Sequence, residues 1–235
     1  MKSFFLLATA GLLWMATPAQ AQRKGKTDAA STATFQRLQP RFGGLTPAQA
    51  EQVLGPAFVT KLAGSFSSRA EASRFFSAKG YEYLSENQPD TAAYRFNLAW
   101  VLDPANADAY HGLGIISSTT APEQSLSLLN QGLALAPTNS YLLSDLGASY
   151  LLRYQQTKKQ KDLTTATEFL QKATTQDAGN AAGWQQLARA YFYQEQYPQA
   201  WEAIHKGQSI NFASMDFDLV AELKEKLPDP QGTIK

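Results

Sequence analysis

The chain has 235 residues, 21 Lys and Arg against 20 Asp and Glu, and 44% apolar residues. That composition supports a packed core and excludes an intrinsically disordered chain, while the balanced charge, without a basic stripe or polybasic run, argues against nucleic acid or an anionic membrane surface as partner. Cysteine is absent, which excludes disulfides, thiolate metal sites, a cysteine nucleophile and a lipidated cysteine, so stability has to come from burial.

Lys2 precedes an almost wholly apolar run from Phe4 to Met15, then Pro18, then Ala19-Gln20-Ala21. A short positive region, an apolar core and a small-x-small tripeptide are the parts of a secretory signal, cut here after Ala21. The run is short for a bilayer span; an uncleaved anchor is the competing reading. Residues 1–21 are expected to be a signal peptide, and the mature chain to be periplasmic or secreted with no integral membrane segment. Of the 21 bases only Lys2 lies in that stretch, and no acid does, which leaves 20 of each sign. Residues 22–45 are expected to be a flexible leader, with Lys24-Gly25-Lys26 as a solvated cluster.

Next, Thr46-Pro47-Ala48-Gln49 opens a short helix that stops near Gly55-Pro56. Phe58, Val59, Leu62 and Phe66 form a second apolar stripe. Residues 46–68 are expected as N-terminal capping helices, with a separate docking segment as the other reading.

From about residue 70 the sequence repeats itself. Phe76-x3-Gly80-x2-Tyr83 is followed by Ala92, Phe96, Ala99 and Pro104, and Leu113-Gly114 by Ser125, Leu129, Gly132 and Pro137. Leu146-Gly147-x2-Tyr150 is followed by Ala166, Leu170 and Ala173, and Trp184-x2-Leu187-Ala188-x2-Tyr191 by Ala200, Ile204 and Gly207. Small residues at these positions let helix axes approach closely, and the large ones fill the seams between units. Ser68-x-x-Glu71 and Thr120-x-x-Glu123 read as capping boxes, and Pro89, Pro122 and Pro198 as first-turn prolines. Asp103-Pro104 and Ala136-Pro137 close helices. The repeats are placed at approximately 73–106, 107–139, 140–180 and 181–212. The third carries an insert, Gln155 to Lys161, which reads either as a long polar turn projecting from one edge or as a partner contact. Residues 213–227, with Phe217, Val220, Leu223 and Leu227 at helical spacing, are expected as a C-terminal capping helix, followed by a tail, 228–235.

These phased residues resemble the tetratricopeptide repeat, a helix-turn-helix unit of about 34 residues. The likeness covers roughly residues 70–212; it departs from the family pattern at Ser117, where Tyr is usual, and at Ala178, where the closing Pro is missing. It implies an all-α, right-handed α-solenoid of about four repeats, capped at both ends.

A catalytic site is not legible. His111 and His205 lie in different repeats, neither has a second His at metal-ligand spacing, and no phosphate-binding loop or nucleophile elbow is present. No cofactor or metal is expected. The resemblance implies that the first helices of the repeats line a concave groove. Carried over by register, it places Arg74, Ser77, Tyr81 and Leu84 there from the first repeat, and Asp108, His111 and Ile115 from the second. The third gives Tyr141, Ser144, Asp145, Leu151 and Leu152, and the fourth Gln185, Arg189, Phe192 and Tyr193. The lysine and asparagine clamp with which some members of the family hold a peptide carboxylate is absent at the matching positions. The expected function is a non-enzymatic adaptor of the cell envelope holding a protein or peptide, with homodimerisation through terminal repeats open. A small-ligand binding protein using the aromatic groove is the alternative.

Overall fold

The computed structural model describes residues 36–234. The expected signal peptide and most of the leader lie outside the described residues. Two short helices, α1 (Pro47–Leu54) and α2 (Pro56–Ala63), precede four antiparallel pairs: α3 (Arg69–Ser85) with α4 (Pro89–Leu102), α5 (Ala107–Ser117) with α6 (Pro122–Leu135), α7 (Ser140–Thr157) with α8 (Gln160–Gln176), and α9 (Ala181–Tyr193) with α10 (Tyr197–Ile210). A single turn of 3₁₀ helix, Phe212–Ser214, leads into α11 (Phe217–Lys226). Each pair packs on the next, and the first helix of a pair also touches the first helix of its neighbour, α3 on α5 and α7 on α9. The result is an all-α solenoid.

Asparagines set the phase of this array. Asn106, Asn139 and Asn180 each stand immediately before the first helix of a pair, and their side chains accept from the backbone N–H of Asp108, of Tyr141 and Leu142, and of Gly183. Pro89, Pro122 and Pro198 sit in the first turn of the second helices, where a missing N–H costs nothing. The capping boxes differ from expectation. Ser68 does accept from Glu71 N, but the Glu71 carboxylate turns back to Ser67. Thr120 caps nothing, because α6 starts later and Ala121 holds the cap position. A reciprocal box forms instead at Thr46 and Gln49, which starts α1.

Phe96, fully buried on α4, shows how the pairs fit. Its ring lies over two glycines: a Cβ on Gly80 would come within 2.6 Å of it, and one on Gly112 within 2.2 Å. Gly147 is similarly covered by Leu170. Burial of each such side chain stabilises the fold by about 1.5–3 kcal/mol.

Three segments depart from expectation. The end of the leader is docked. Phe42 is fully buried, and Asn97 of α4 donates to Arg37 O (2.9 Å) and Gln39 O (2.8 Å) while accepting from Arg41 N at 2.7 Å. These contacts hold Arg41 and Phe42 at φ 52 and 53°, a left-handed backbone that bulky residues avoid. The insert of the third repeat is not a projecting turn, since α7 runs to Thr157 and α8 begins at Gln160. Its residues lengthen both helices, with Lys158 (φ 55°) making the sharp reversal. Arg153 ties the two together through Asp162 at 2.6 Å. The C-terminal tail also folds back. Trp201 donates its indole N–H to Leu227 O (2.9 Å), and the buried Asp229 carboxylate accepts from Gln231 N, Thr233 N and Ile234 N, each at 2.9 Å. Asp229 Oδ1 also lies 3.0 Å from His205 Nε2, in ion-pair range though not aligned as a hydrogen bond.

Candidate binding groove

The first helices of the pairs carry a chain of polar contacts across three repeats. Tyr81 on α3 approaches His111 Nδ1 on α5 at 2.8 Å, and His111 Nε2 approaches Asp145 Oδ2 on α7 at 2.7 Å. Burial, with Asp108 and Asp145 nearby, pushes the Tyr81 phenol far above its usual range. The Asp145 carboxylate can only accept, which places a hydrogen on His111 Nε2, and in the neutral ring Nδ1 then accepts from the Tyr81 hydroxyl. His111 is 7% exposed, and this pairing leaves neither ring nitrogen open to a substrate.

Beside Asp145 lies a cavity of about 310 Å³ lined by Gly114, Ile115, Ser118, Ser125, Leu129, Asp145, Ala148, Ser149 and Leu152. A second, wider cavity of about 500 Å³ shares Ala148 and Leu152 with it and extends over Gln155, Gln186 and Arg189 to Asp216, Asp218 and Glu222. Together they form one groove running from α5 to α11, aliphatic at the α5–α7 end and polar, mostly acidic, towards α11.

No protein-family model and no curated protein matches the chain. Solved structures do. The structure from the functional characterization of Pseudomonas aeruginosa PilF superposes with a TM-score of 0.55 at 23% identity, over 69% of this chain and 74% of that one. A thermophilic TPR protein of Thermus thermophilus gives 0.54 at 15% identity, over 68% and 93%. The Cut9–Hcn1 hetero-tetramer of the APC/C gives 0.54 at 20% identity, over 67% of this chain and 33% of that one. The chain has the tetratricopeptide-repeat fold. The groove above lies on α5, α7 and α9, the first helices of the second, third and fourth pairs, with Ser125 and Leu129 of α6 at one end and the acids of the α11 start at the other.

The positions expected in the groove part into three sets. Tyr81, His111 and Asp145 meet, with Ile115 and Leu152 beside them, while Asp108 contributes a backbone carbonyl 3.4 Å from the Tyr81 hydroxyl. Arg74 and Tyr141 are exposed, the latter by 57%.

The others are occupied by the fold itself. Ser77 and Ser144 are buried, and accept from Asn106 Nδ2 (2.9 Å) and Asn180 Nδ2 (2.7 Å), a ladder between neighbouring repeats that leaves them out of the groove. Leu84 packs against the N-terminal core, and Leu151, although it lines the wider cavity, is buried inside a core cluster. Arg189 is spent on structure: it binds Asp216, and Glu222 at 3.1 Å, fastening α11 to α9. Gln185 lies beside the same junction, with Ile204, Met215, Asp216 and Leu219. Phe192 leans on Tyr197 and on Tyr193, and Tyr193 also packs on Tyr154 at 5.5 Å and accepts from Gln155 Nε2. The serines of the smaller cavity, Ser118, Ser125 and Ser149, were not singled out for the groove. No residue type marks them, because their position depends on which face of α5, α6 and α7 turns inward.

Proposed function

We propose that this protein is a scaffold that holds a segment of a protein partner along the inner face of its repeat array. The observation that carries the reading is the pair of adjoining cavities sharing Ala148 and Leu152, an elongated groove with apolar residues on α5 and α7 and polar ones on α9 and α11, a shape that suits a chain-like ligand. The Cut9–Hcn1 structure, a hetero-tetramer of similar fold, is in keeping with it. We further propose, from Lys2, the run Phe4–Met15 and Ala19-Gln20-Ala21, that the chain is exported and works in the envelope.

The test is to use the full chain as bait in an envelope extract, beside variants Ile115→Arg and Leu152→Arg. A stoichiometric partner lost by both variants, each still fully helical by circular dichroism, supports the groove. Retention by both overturns it. Arg189 is unsuitable for this purpose because its loss would loosen α11. Export is tested separately: N-terminal sequencing of the protein purified from its native cells should begin at Gln22, and a start at Met1 or Lys2 would refute cleavage.

A further inference from the structure

The smaller cavity has a polar lining of one kind only. Ser118 Oγ donates to Ile115 O (2.7 Å), Ser125 Oγ to Gly114 O (2.8 Å) and Ser149 Oγ to Asp145 O (2.7 Å). Each hydroxyl hydrogen is consumed by a helix carbonyl, so each serine has only lone pairs left to offer. The fourth polar group is the Asp145 carboxylate, an acceptor by nature, held in place by the His111 Nε2–H. Between these acceptors lie Ile115, Leu129, Ala148 and Leu152. At about 310 Å³ the cavity is at the small end for ligand sites, with room for one long side chain.

A neutral polar guest would bring acceptors to meet acceptors, and an anion would also meet the carboxylate. A group with donors only, one positive charge and an aliphatic stem satisfies every wall at once. Among side chains lysine and arginine meet this description, and lysine, with a compact ammonium on four flexible methylenes, suits a small cavity with a single carboxylate better than the wide planar guanidinium does. We propose that this cavity is a subsite for a lysine side chain of the protein partner, its ammonium paired with Asp145 and its stem laid on Ile115 and Leu152. The wider groove has the same sense of charge: Asp216 and Glu222 share Arg189 between them and Asp218 stands beside them, so its net charge is negative and favours a basic segment. This assignment rests on the groove reading above and narrows it.

The experiment is a titration of the full chain followed by amide NMR shifts of Gly114, Ser118 and Ser149. The probes are n-butylammonium and N-acetyl-lysine methylamide, with n-butanol and butyrate as controls. The two cations should bind weakly but saturably, the controls should not, and Asp145→Asn should weaken the cations by about tenfold or more, since it removes the charge and keeps an oxygen for His111. Equal binding of butyrate or butanol, or cation binding unchanged in Asp145→Asn, overturns the subsite. Spermidine bound far more tightly than the lysine amide would also overturn it, by making a free polyamine the occupant. The two readings fail separately. If a captured partner is lost with Leu152→Arg but kept by Asp145→Asn, the groove stands and the lysine subsite falls; if it is kept by Leu152→Arg and Ile115→Arg, the groove itself is wrong.

Discussion

His111 reaches Asp145 across the seam between α5 and α7 at 2.7 Å, from the register position that Ser77 and Ser144 hold in the repeats on either side. In those repeats a buried serine receives the next asparagine cap and the seam is closed by a short hydrogen bond. At the second repeat an imidazole fills the place, binds Tyr81 behind it and Asp145 ahead of it, and so couples three repeats instead of two. His111→Ala should leave the Tyr81 hydroxyl with only the long contact to Asp108 O (3.4 Å) and free the Asp145 carboxylate. Leaving a buried polar group unmatched costs about 1–3 kcal/mol, read as a lowered urea midpoint. In a cycle with Asp145→Asn the two losses should be less than additive, with a coupling of about 0.5–3 kcal/mol. Strict additivity would show that the contact carries no energy.

The approach of α3, α4 and α5 rests on the absence of two side chains. A methyl group on Gly112 would fall 2.2 Å from the Phe96 ring, which is fully buried and has nowhere to go. Gly112→Ala should therefore destabilise by about 1–3 kcal/mol through overpacking, even though alanine is the better helix former by about 1 kcal/mol. Phe96→Leu in the same chain should recover part of the loss, and thermal melts of the three variants decide it. A Gly112→Ala protein as stable as the parent would mean that the seam has slack.

The array was legible in the sequence because its signals are local and repeated: Gly80, Gly114 and Gly147 at fixed intervals, large apolar partners in phase, and prolines at helix starts. The docked leader was not, because Phe42 and Arg41 are held by Asn97, more than fifty residues away, and a polar segment ending in Arg-Phe-Gly-Gly carries no periodicity. The lengthened helices of the third repeat were missed for a related reason. Residues 155–161 are all polar, which reads as a loop, whereas the Arg153–Asp162 pair and the left-handed Lys158 make them a helix end, a reversal and a helix start. In the groove, register placed Tyr81, His111 and Asp145 correctly on first helices, but it could not tell that Ser77 and Ser144 face the seam or that Arg189 is claimed by α11.

Asn97 gives that docking a single handle. Its amide satisfies two leader carbonyls and takes the Arg41 N–H, all from a fully buried position. Asn97→Ala removes every one of these bonds, leaving the buried Phe42 ring and the Arg41 Nη1–Gln131 Oε1 contact (3.3 Å) alone to offset the left-handed backbone at Arg41 and Phe42. The segment should come away, exposing the bonds after Arg37 and Arg41 to trypsin while the repeats stay protected. Brief digestion followed by mass spectrometry should show cleavage at these two sites in the variant at least several-fold faster than in the parent. Equal rates would place the hold on the Phe42 ring instead.

The C-terminal cap should be acid-sensitive. Burial works against ionisation of Asp216, but the Leu219 N–H that it caps and the Arg189 guanidinium outweigh that, and its carboxyl is held below the usual carboxylate range. Asp229 is alike: burial opposes its charge, and the N–H groups of Ile234, Gln231 and Thr233, with His205 nearby, prevail. For a carboxyl whose folded pKa lies below its unfolded one, the stabilisation is complete above the unfolded value, about 3.9 for Asp, and is lost as the pH falls through the folded value. Stability should thus stay flat as the pH falls from 7 to about 5, then decline below about 4 as the unfolded chain takes up protons first. Asp216→Asn keeps a side chain that can cap α11 and removes the charge, so this variant should start less stable at neutral pH and lose less on acidification. Urea midpoints from pH 7 to pH 3 measure both slopes, and parallel curves for the two proteins would show that the Arg189–Asp216 pair does not govern the acid response.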